Sequence, residues 1–224
     1  NFLQSMGAKI SGLGTDEISV IGVSKLCGSE YSIMSDRIEA GTFILLVLGC
    51  SGFLKLTNLD EKVIDNYIKI FKPFKELSFE KISNNKLLIT CNSKNYRGSD
   101  VKTNPYPGFP TDLQAQLSAV MSKAIGSSTI EETIFENRFM HVAELNRMGA
   151  KISINGNKAT IEGNIKLKAA ELMATDLRAS VSLILAALTS RGKSIINRIY
   201  HLDRGYENIE KKLKKVGAKI KRIN

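Results

Sequence analysis

Two stretches of this chain, 43–50 and 181–188, are apolar almost without interruption. A helix that is apolar on every side is buried on every side, so both are expected in an interior. Other segments alternate instead. Lys151-Ile152-Ser153-Ile154 and Lys158-Ala159-Thr160-Ile161 flank Asn155-Gly156-Asn157, which predicts a β-hairpin with one face in water. Buried helices beneath half-exposed sheets invert the usual α/β arrangement, in which helices cover a central sheet.

The elements recur. Met6-Gly7-Ala8-Lys9-Ile10, Met148-Gly149-Ala150-Lys151-Ile152 and Val216-Gly217-Ala218-Lys219-Ile220 each close an amphipathic stretch with a glycine and open a lysine-bearing strand. Ile38-Glu39-Ala40-Gly41, Leu113-Gln114-Ala115-Gln116 and Leu177-Arg178-Ala179-Ser180 each open an apolar run, their alanines 75 and 64 residues apart. Such spacing marks one supersecondary module used several times.

The middle copy reads most clearly. Thr111 or Asp112 is a suitable N-cap for a helix running to residue 124, followed by a strand over 129–134 and a second helix over 139–148 closed by Gly149. With a strand ahead of the first helix, the unit is β-α-β-α-β-β. The first copy fits with strands at 31–34 and 53–56, helices from about residue 37 and over 61–71, and a hairpin of 79–82 with 87–90. The third has strands at 170–173 and 194–200, helices over 176–189 and 206–216, and one hairpin strand of the two. The Gly-Ala-Lys-Ile at residue 7 lacks most of its unit, so the chain is expected to be part of a longer protein.

Composition narrows the picture modestly. A hydrophobic content of 43% is ordinary for a packed globular protein, and a net charge of +10 favours anionic partners without choosing among them. Cys27, Cys50 and Cys91 are odd in number and form no Cys-x-x-Cys pair, which points to free thiols in a reducing cytoplasm rather than disulfides or a zinc site. The apolar runs fall well short of the roughly 20 residues that a membrane helix needs.

Four arginines occupy unusual places. Arg37 and Arg178 fall in the first turn of their predicted helices, and Arg138 and Arg204 immediately precede theirs. A helix N-terminus carries about half a positive charge, so a cation there is disfavoured by about 0.3–1 kcal/mol. The free N–H groups at the same end bind anions. Several such ends converging, each with a guanidinium able to grip an oxyanion bidentately, would make a phosphate- and carboxylate-binding pocket. Alternatively, each arginine pairs with a neighbouring acid, Asp36, Glu136, Asp176 or Asp203, as a structural bridge.

Asp112 has two readings as well: an N-cap, or a carboxylate held at the mouth of a basic pocket and able to accept a proton. His141 and His201 are expected in surface or capping roles. No Ser-His-Asp pattern, glycine-rich phosphate loop or metal-ligand spacing appears. The run Lys211, Lys212, Lys214, Lys215, Lys219, Lys221 and Arg222 could be a nucleic-acid patch. Lysines also complement the dipole at a helix C-terminus, and no aromatic residue interleaves these for base stacking. A solvated face, with no nucleic-acid partner, is the expectation.

Four segments carry a resemblance: Phe109-Pro110-Thr111-Asp112-Leu113-Gln114-Ala115-Gln116, Phe135-Glu136-Asn137-Arg138-Phe139-Met140-His141-Val142, Ala174-Thr175-Asp176-Leu177-Arg178-Ala179-Ser180 and Asp203-Arg204-Gly205-Tyr206-Glu207. Together with Asp36-Arg37-Ile38-Glu39-Ala40-Gly41-Thr42, they resemble the enolpyruvyl transferase family along the whole chain, specifically its branch acting on UDP-N-acetylglucosamine. The shikimate-type branch shares the fold but not these motifs.

The resemblance implies an inside-out α/β barrel of repeated β-α-β-α-β-β units, with residues 1–34 the end of a first domain and 35–224 nearly all of a second. In the family, the protein's own N-terminal segment crosses over to complete that second domain. It also implies transfer of the enolpyruvyl group of phosphoenolpyruvate to the sugar 3-hydroxyl, releasing phosphate, with no cofactor and no metal, in the cytoplasm. By motif, Asp112 would contact the hydroxyl and act as its base, Arg138, Arg178 and Arg204 would line the phosphoenolpyruvate region, Asp176 would orient Arg178, and the Ile134 backbone would touch the nucleotide sugar. The family's catalytic lysine and mobile loop match nothing here, so this chain alone is expected to be inactive.

Overall fold

Asp36 opens the first long helix. Its Oδ1 accepts the backbone N–H groups of Ile38 (2.8 Å) and Glu39 (3.1 Å), two of the donors that a helix start leaves free. Asp176 repeats the cap, taking the N–H groups of Arg178 (2.8 Å) and Ala179 (2.9 Å). The structure, a computed structural model, describes residues 1–223. It divides into two compact units, Asn1–Ser35 and the residues from Asp36 on.

The first unit holds α1 (Phe2–Ser5) and the antiparallel pair β1 (Lys9–Ser11) and β2 (Ser19–Ile21). None of its residues is buried. The strand expected at 31–34 does not form: the segment has no ladder partner among the described residues, and Ile33 stands in solvent.

The second unit begins with α2 (Arg37–Cys50), β3 (Gly52–Thr57), α3 (Glu61–Ile70), β4 (Leu77–Ser83) and β5 (Lys86–Cys91), the strands pairing in the order β3-β5-β4. Next come β6 (Val101–Lys102), a 3-10 turn (Thr111–Leu113), α4 (Gln114–Met121), β7 (Ser127–Glu131), α5 (His141–Arg147), β8 (Lys151–Asn155) and β9 (Lys158–Glu162). Their sheet runs β6-β7-β9-β8, with β6 parallel to β7 and the rest antiparallel. The last group is β10 (Glu171–Met173), α6 (Leu177–Thr189), β11 (Ile195–Asn197), α7 (Tyr200–Asp203) and α8 (Ile209–Lys215), with β10 parallel to β11.

The strand expected over 194–200 stops at Asn197, with α7 opening at Tyr200, and the one expected over 129–134 is β7; two further differences have visible reasons. The helix expected from residue 206 starts at Ile209, because the Tyr206 N–H closes the preceding turn onto Leu202 O (3.1 Å) and Asn208 adopts a left-handed φ of 47°. The lone hairpin strand after Gly217 is not a strand, since a strand exists only through its ladder and no bridge forms there among the described residues.

The recurring glycine has one structural role in all three copies. Gly7, Gly149 and Gly217 take φ values of 99°, 90° and 95°, open to glycine without a Cβ penalty. Each donates to the residue three before it, Gln4, Asn146 or Lys214, and the next alanine donates to Leu3, Leu145 or Leu213. That pair of bonds is a Schellman cap, which satisfies the last carbonyls of the helix.

The core lies around three helices. Every residue of α4 is buried, as are 179–186 of α6 and all but Glu39 of 38–49 in α2. The sheets press their inner faces on this core, with Leu87 and Ile89 of β5, Ile130 of β7 and Ile161 of β9 fully enclosed, while alternate residues face outward. The three helices run parallel. At one end a methyl group on Gly41 of α2 would collide with Leu113; at the other, Gly49 lies against both Val120 of α4 and Thr189 of α6. No helix among the described residues is long and apolar enough to cross a membrane.

Candidate active site

Because α2, α4 and α6 run parallel, their N-terminal ends gather at one end of the core. Parallel dipoles side by side repel, so this end concentrates positive potential that an anion relieves. A cleft of about 490 Å³ opens at the starts of α4 and α6, lined among others by Asp112, Arg138, His141, Asp176, Arg178 and Arg204.

Asp112 is not a helix cap. It sits within the 3-10 turn, whose first residue is flanked by Pro110 with no side-chain cap bond. Its carboxylate is instead shared by two arginines: Oδ1 lies 2.6 Å from Arg138 Nη2, and Oδ2 lies 3.0 Å from Arg178 Nη2. Burial alone would raise the Asp112 pKa, but Arg178 and then Arg138 outweigh it and hold the carboxyl below the usual range. Burial likewise opposes the charge on Arg178, and Asp112 reverses the effect, raising its pKa.

The arginines do not pair with their sequence neighbours. Asp36 and Asp176 are committed to capping, and Asp203 is gripped by Arg222 at 2.6 Å and 2.9 Å. Asp176 therefore fixes the backbone of Arg178, while the guanidinium reaches to Asp112. Arg138 also donates through Nη1 to Thr111 Oγ1 (2.8 Å) and lies over the Phe135 ring at 4.7 Å. Arg204 follows α7 as its C-cap rather than preceding a helix; it lines the cleft from an exposed position. Arg37 does not line the cleft. Its guanidinium stacks on Tyr106, 5.6 Å from the ring centre. Ile134 stands one residue before the cleft-lining Phe135, its N–H bound to Glu132 Oε1 at 2.9 Å.

Other polar residues complete the site. His141, expected in a surface or capping role, is 2% exposed and makes no cap bond, with Nε2 lacking a partner among the described residues. Burial drops its pKa from 6.5 to about 4, with Asp176 opposing and Arg138 assisting, so the ring is neutral at pH 7. Behind Asp112, Gln116 Nε2 donates to the Asp112 carbonyl (2.9 Å) and to Thr42 Oγ1 (3.2 Å), and Thr42 bonds the Tyr206 hydroxyl at 2.8 Å. These contacts stitch α2 and α4 to the segment before α8. The basic run near the end of the chain is partly neutralised, Lys212 pairing with Glu39 at 2.6 Å and Arg222 with Asp203 and Glu210.

Buried helices beneath sheets, with arginines and aspartates at their N-terminal ends, define a mixed α/β protein of the enolpyruvyl transferase fold. A solved enolpyruvyl transferase, NikO from Streptomyces tendae, superposes with a TM-score of 0.83 at 24% identity, covering 97% of this chain and 52% of that one. EPSP synthase from Acinetobacter baumannii gives 0.77 at 19% identity, covering 100% and 54%. Residues 1–213 match the EPSP synthase (3-phosphoshikimate 1-carboxyvinyltransferase) family model, and the chain belongs to that family. Among curated relatives, the UDP-N-acetylglucosamine 1-carboxyvinyltransferases of Pelagibacter ubique and Thermodesulfovibrio yellowstonii are 61% and 53% identical over all 224 residues, and the match covers 53% of each relative. The chain thus spans about half the length of the curated relatives it matches.

Proposed function

We propose that the protein carrying this chain moves the enolpyruvyl group of phosphoenolpyruvate to the 3-hydroxyl of UDP-N-acetylglucosamine and releases phosphate, the first committed step of peptidoglycan synthesis in the cytoplasm. The observation that carries the reading is Asp112 clasped between Arg138 and Arg178 in a cleft at the N-terminal ends of α4 and α6. The names of the 61% and 53% identical relatives support the choice of acceptor over 3-phosphoshikimate. In this reading residues 1–34 end a preceding domain, and residues 35–224 form a closed, inside-out barrel of three units completed by the protein's own N-terminal segment. The partner of the cleft is the other half of the same protein.

The reaction proceeds by addition and elimination. The sugar 3-oxygen bonds to C2 of phosphoenolpyruvate while a proton joins C3; then C3 loses a proton and phosphate departs, leaving the enol ether. Asp112 accepts the hydroxyl proton, and Arg138, Arg178 and Arg204 hold the carboxylate and phosphate. Asp176 keeps Arg178 in place by fixing its backbone, and the Ile134 backbone meets the nucleotide sugar. Because Asp112 starts in two ion pairs, it is a weak base until an incoming oxyanion competes for the guanidiniums and raises its basicity. The group that protonates C3 lies outside this chain, as does the family's lysine, so this chain alone is inactive.

The deciding experiment follows phosphate release by the full-length protein. Phosphoenolpyruvate should be consumed only when UDP-N-acetylglucosamine is present, and Asp112→Ala and Arg204→Ala should abolish turnover. Turnover with shikimate 3-phosphate instead, or undiminished activity in both variants, overturns the reading.

A further inference from the structure

Just beyond β7, Glu132 turns its side chain inward, 2% exposed, and no lysine or arginine pairs with it among the described residues. An unpaired buried carboxylate is costly unless donors surround it. Here four converge. Oε1 accepts from Thr103 Oγ1 (2.9 Å), Ile134 N (2.9 Å) and Phe135 N (3.2 Å), and Oε2 accepts from Thr111 Oγ1 (2.7 Å). The backbone is pinned too, its N–H donating to Asn157 O (2.8 Å) and its carbonyl accepting from Asn157 Nδ2 (3.0 Å).

The bond to Thr111 has a chemical consequence. A threonine hydroxyl has one hydrogen, and here it is given to Glu132. The oxygen then offers only lone pairs to Arg138 Nη1, 2.8 Å away, and a guanidinium is a donor with no acceptor. Glu132 also fixes Phe135, the ring over which Arg138 lies at 4.7 Å. Both supports of the Arg138 guanidinium beyond Asp112 therefore lead back to one buried carboxylate.

We infer that Glu132 is a positioning residue for Arg138, acting by setting the donor–acceptor sense of the Thr111 hydroxyl and by holding the Ile134–Phe135 rim. The inference rests on the proposed role of Arg138 in binding the reacting anion. Glu132→Gln is nearly isosteric and tests it. If the amide oxygen keeps the three donors of Oε1, the amide N–H₂ faces Thr111 and donates to it. The threonine hydrogen then loses its acceptor and is no longer held away from Arg138, so nothing fixes a lone pair of the oxygen toward the guanidinium.

In the full-length protein, E132Q should raise the KM for phosphoenolpyruvate about 10-fold or more, with up to about 100-fold lost in kcat/KM, the scale of a misplacement near 1 Å. Thr111→Val should do the same, Thr111→Ser should stay near the wild type, and E132Q/T111V should be no worse than T111V alone. Wild-type kinetics in E132Q, or losses that add in the double variant, overturn the inference. A crystal structure of E132Q judges it without turnover: Arg138 detached from Thr111 supports it, and an unchanged Arg138–Thr111 bond overturns it. Absence of turnover in the wild type would count against the proposed function, and the crystal structure of E132Q would still decide the role of Glu132.

Discussion

Arg178 Nη2 lies 3.0 Å from Asp112 Oδ2, joining residues 66 positions apart in sequence. The pair links the starts of α4 and α6, and Arg138 completes it from the loop before α5. The Asp112 carboxylate is thus the shared counter-ion of two guanidiniums.

Removing that counter-ion should separate binding from turnover. Asp112→Asn leaves two guanidiniums free for an oxyanion, so inorganic phosphate should bind several-fold more tightly by calorimetry. Turnover of the full-length protein should fall by about 10²-fold or more, the usual cost of losing a positioned base. Unaltered phosphate affinity would show that Asp112 does not hold the arginines.

Arg178→Lys keeps the charge but loses the planar fork. A lysine cannot bond Asp112 and an incoming carboxylate or phosphate in the same geometry. The KM for phosphoenolpyruvate should rise about 10-fold or more, the equivalent of about 1.4 kcal/mol, in steady-state assays. A KM within twofold of the wild type would argue that the fork is not used.

His141 should make the fold sensitive to mild acid. Its folded pKa of about 4 lies below the ordinary 6.5, so between those values the unfolded chain takes up a proton that the native ring refuses. Stability should therefore be full above pH 6.5 and decline as pH falls toward 4, by up to about 3 kcal/mol from this group. Urea titrations of the full-length protein should show a flatter decline for His141→Gln over that window. An identical pH slope in the variant would refute the assignment. Asp112 adds a loss at still lower pH, because its lowered pKa stabilises the native state until the carboxyl is protonated.

Gly41→Ala tests the close approach of two helices. The new methyl group would strike Leu113, which is fully buried, and lie 2.9 Å from the Tyr67 hydroxyl. Overpacking of this kind costs about 1–3 kcal/mol, partly offset by about 1 kcal/mol of better helix propensity. A lowered urea midpoint is expected; a raised one would mean that the helices can separate without cost.

The interior helices were legible because all-round apolarity has one physical meaning, and the three glycine caps because a left-handed residue leaves a sequence mark. Contacts distant in sequence were not legible. Asp112 after a proline reads locally as a cap, yet Arg178 and Arg138 claim it from elsewhere in the chain. The rule that singled out helix-start arginines included Arg37, which Tyr106 draws away. The strands expected at 31–34 and after Gly217 carry the right residues but find no ladder partner among the described residues. Glu132 did leave a signal: Ser128, Ile130 and Glu132 share the inward phase of β7 and its extension, and an acid in that phase demands a reason.

The parallel packing of α2, α4 and α6 has a wider consequence. In the proposed reaction, backbone dipoles locked into the core add to the attraction that the arginines exert on anions, and loop residues such as Phe135 and Asn137 form the rim of the cleft. Chemistry and choice of partner can therefore diverge independently: the rim can be rebuilt for a different alcohol while the electrostatic seat stays intact. The names within the family follow that division, one acceptor being 3-phosphoshikimate and another UDP-N-acetylglucosamine, with the carboxyvinyl group common to both.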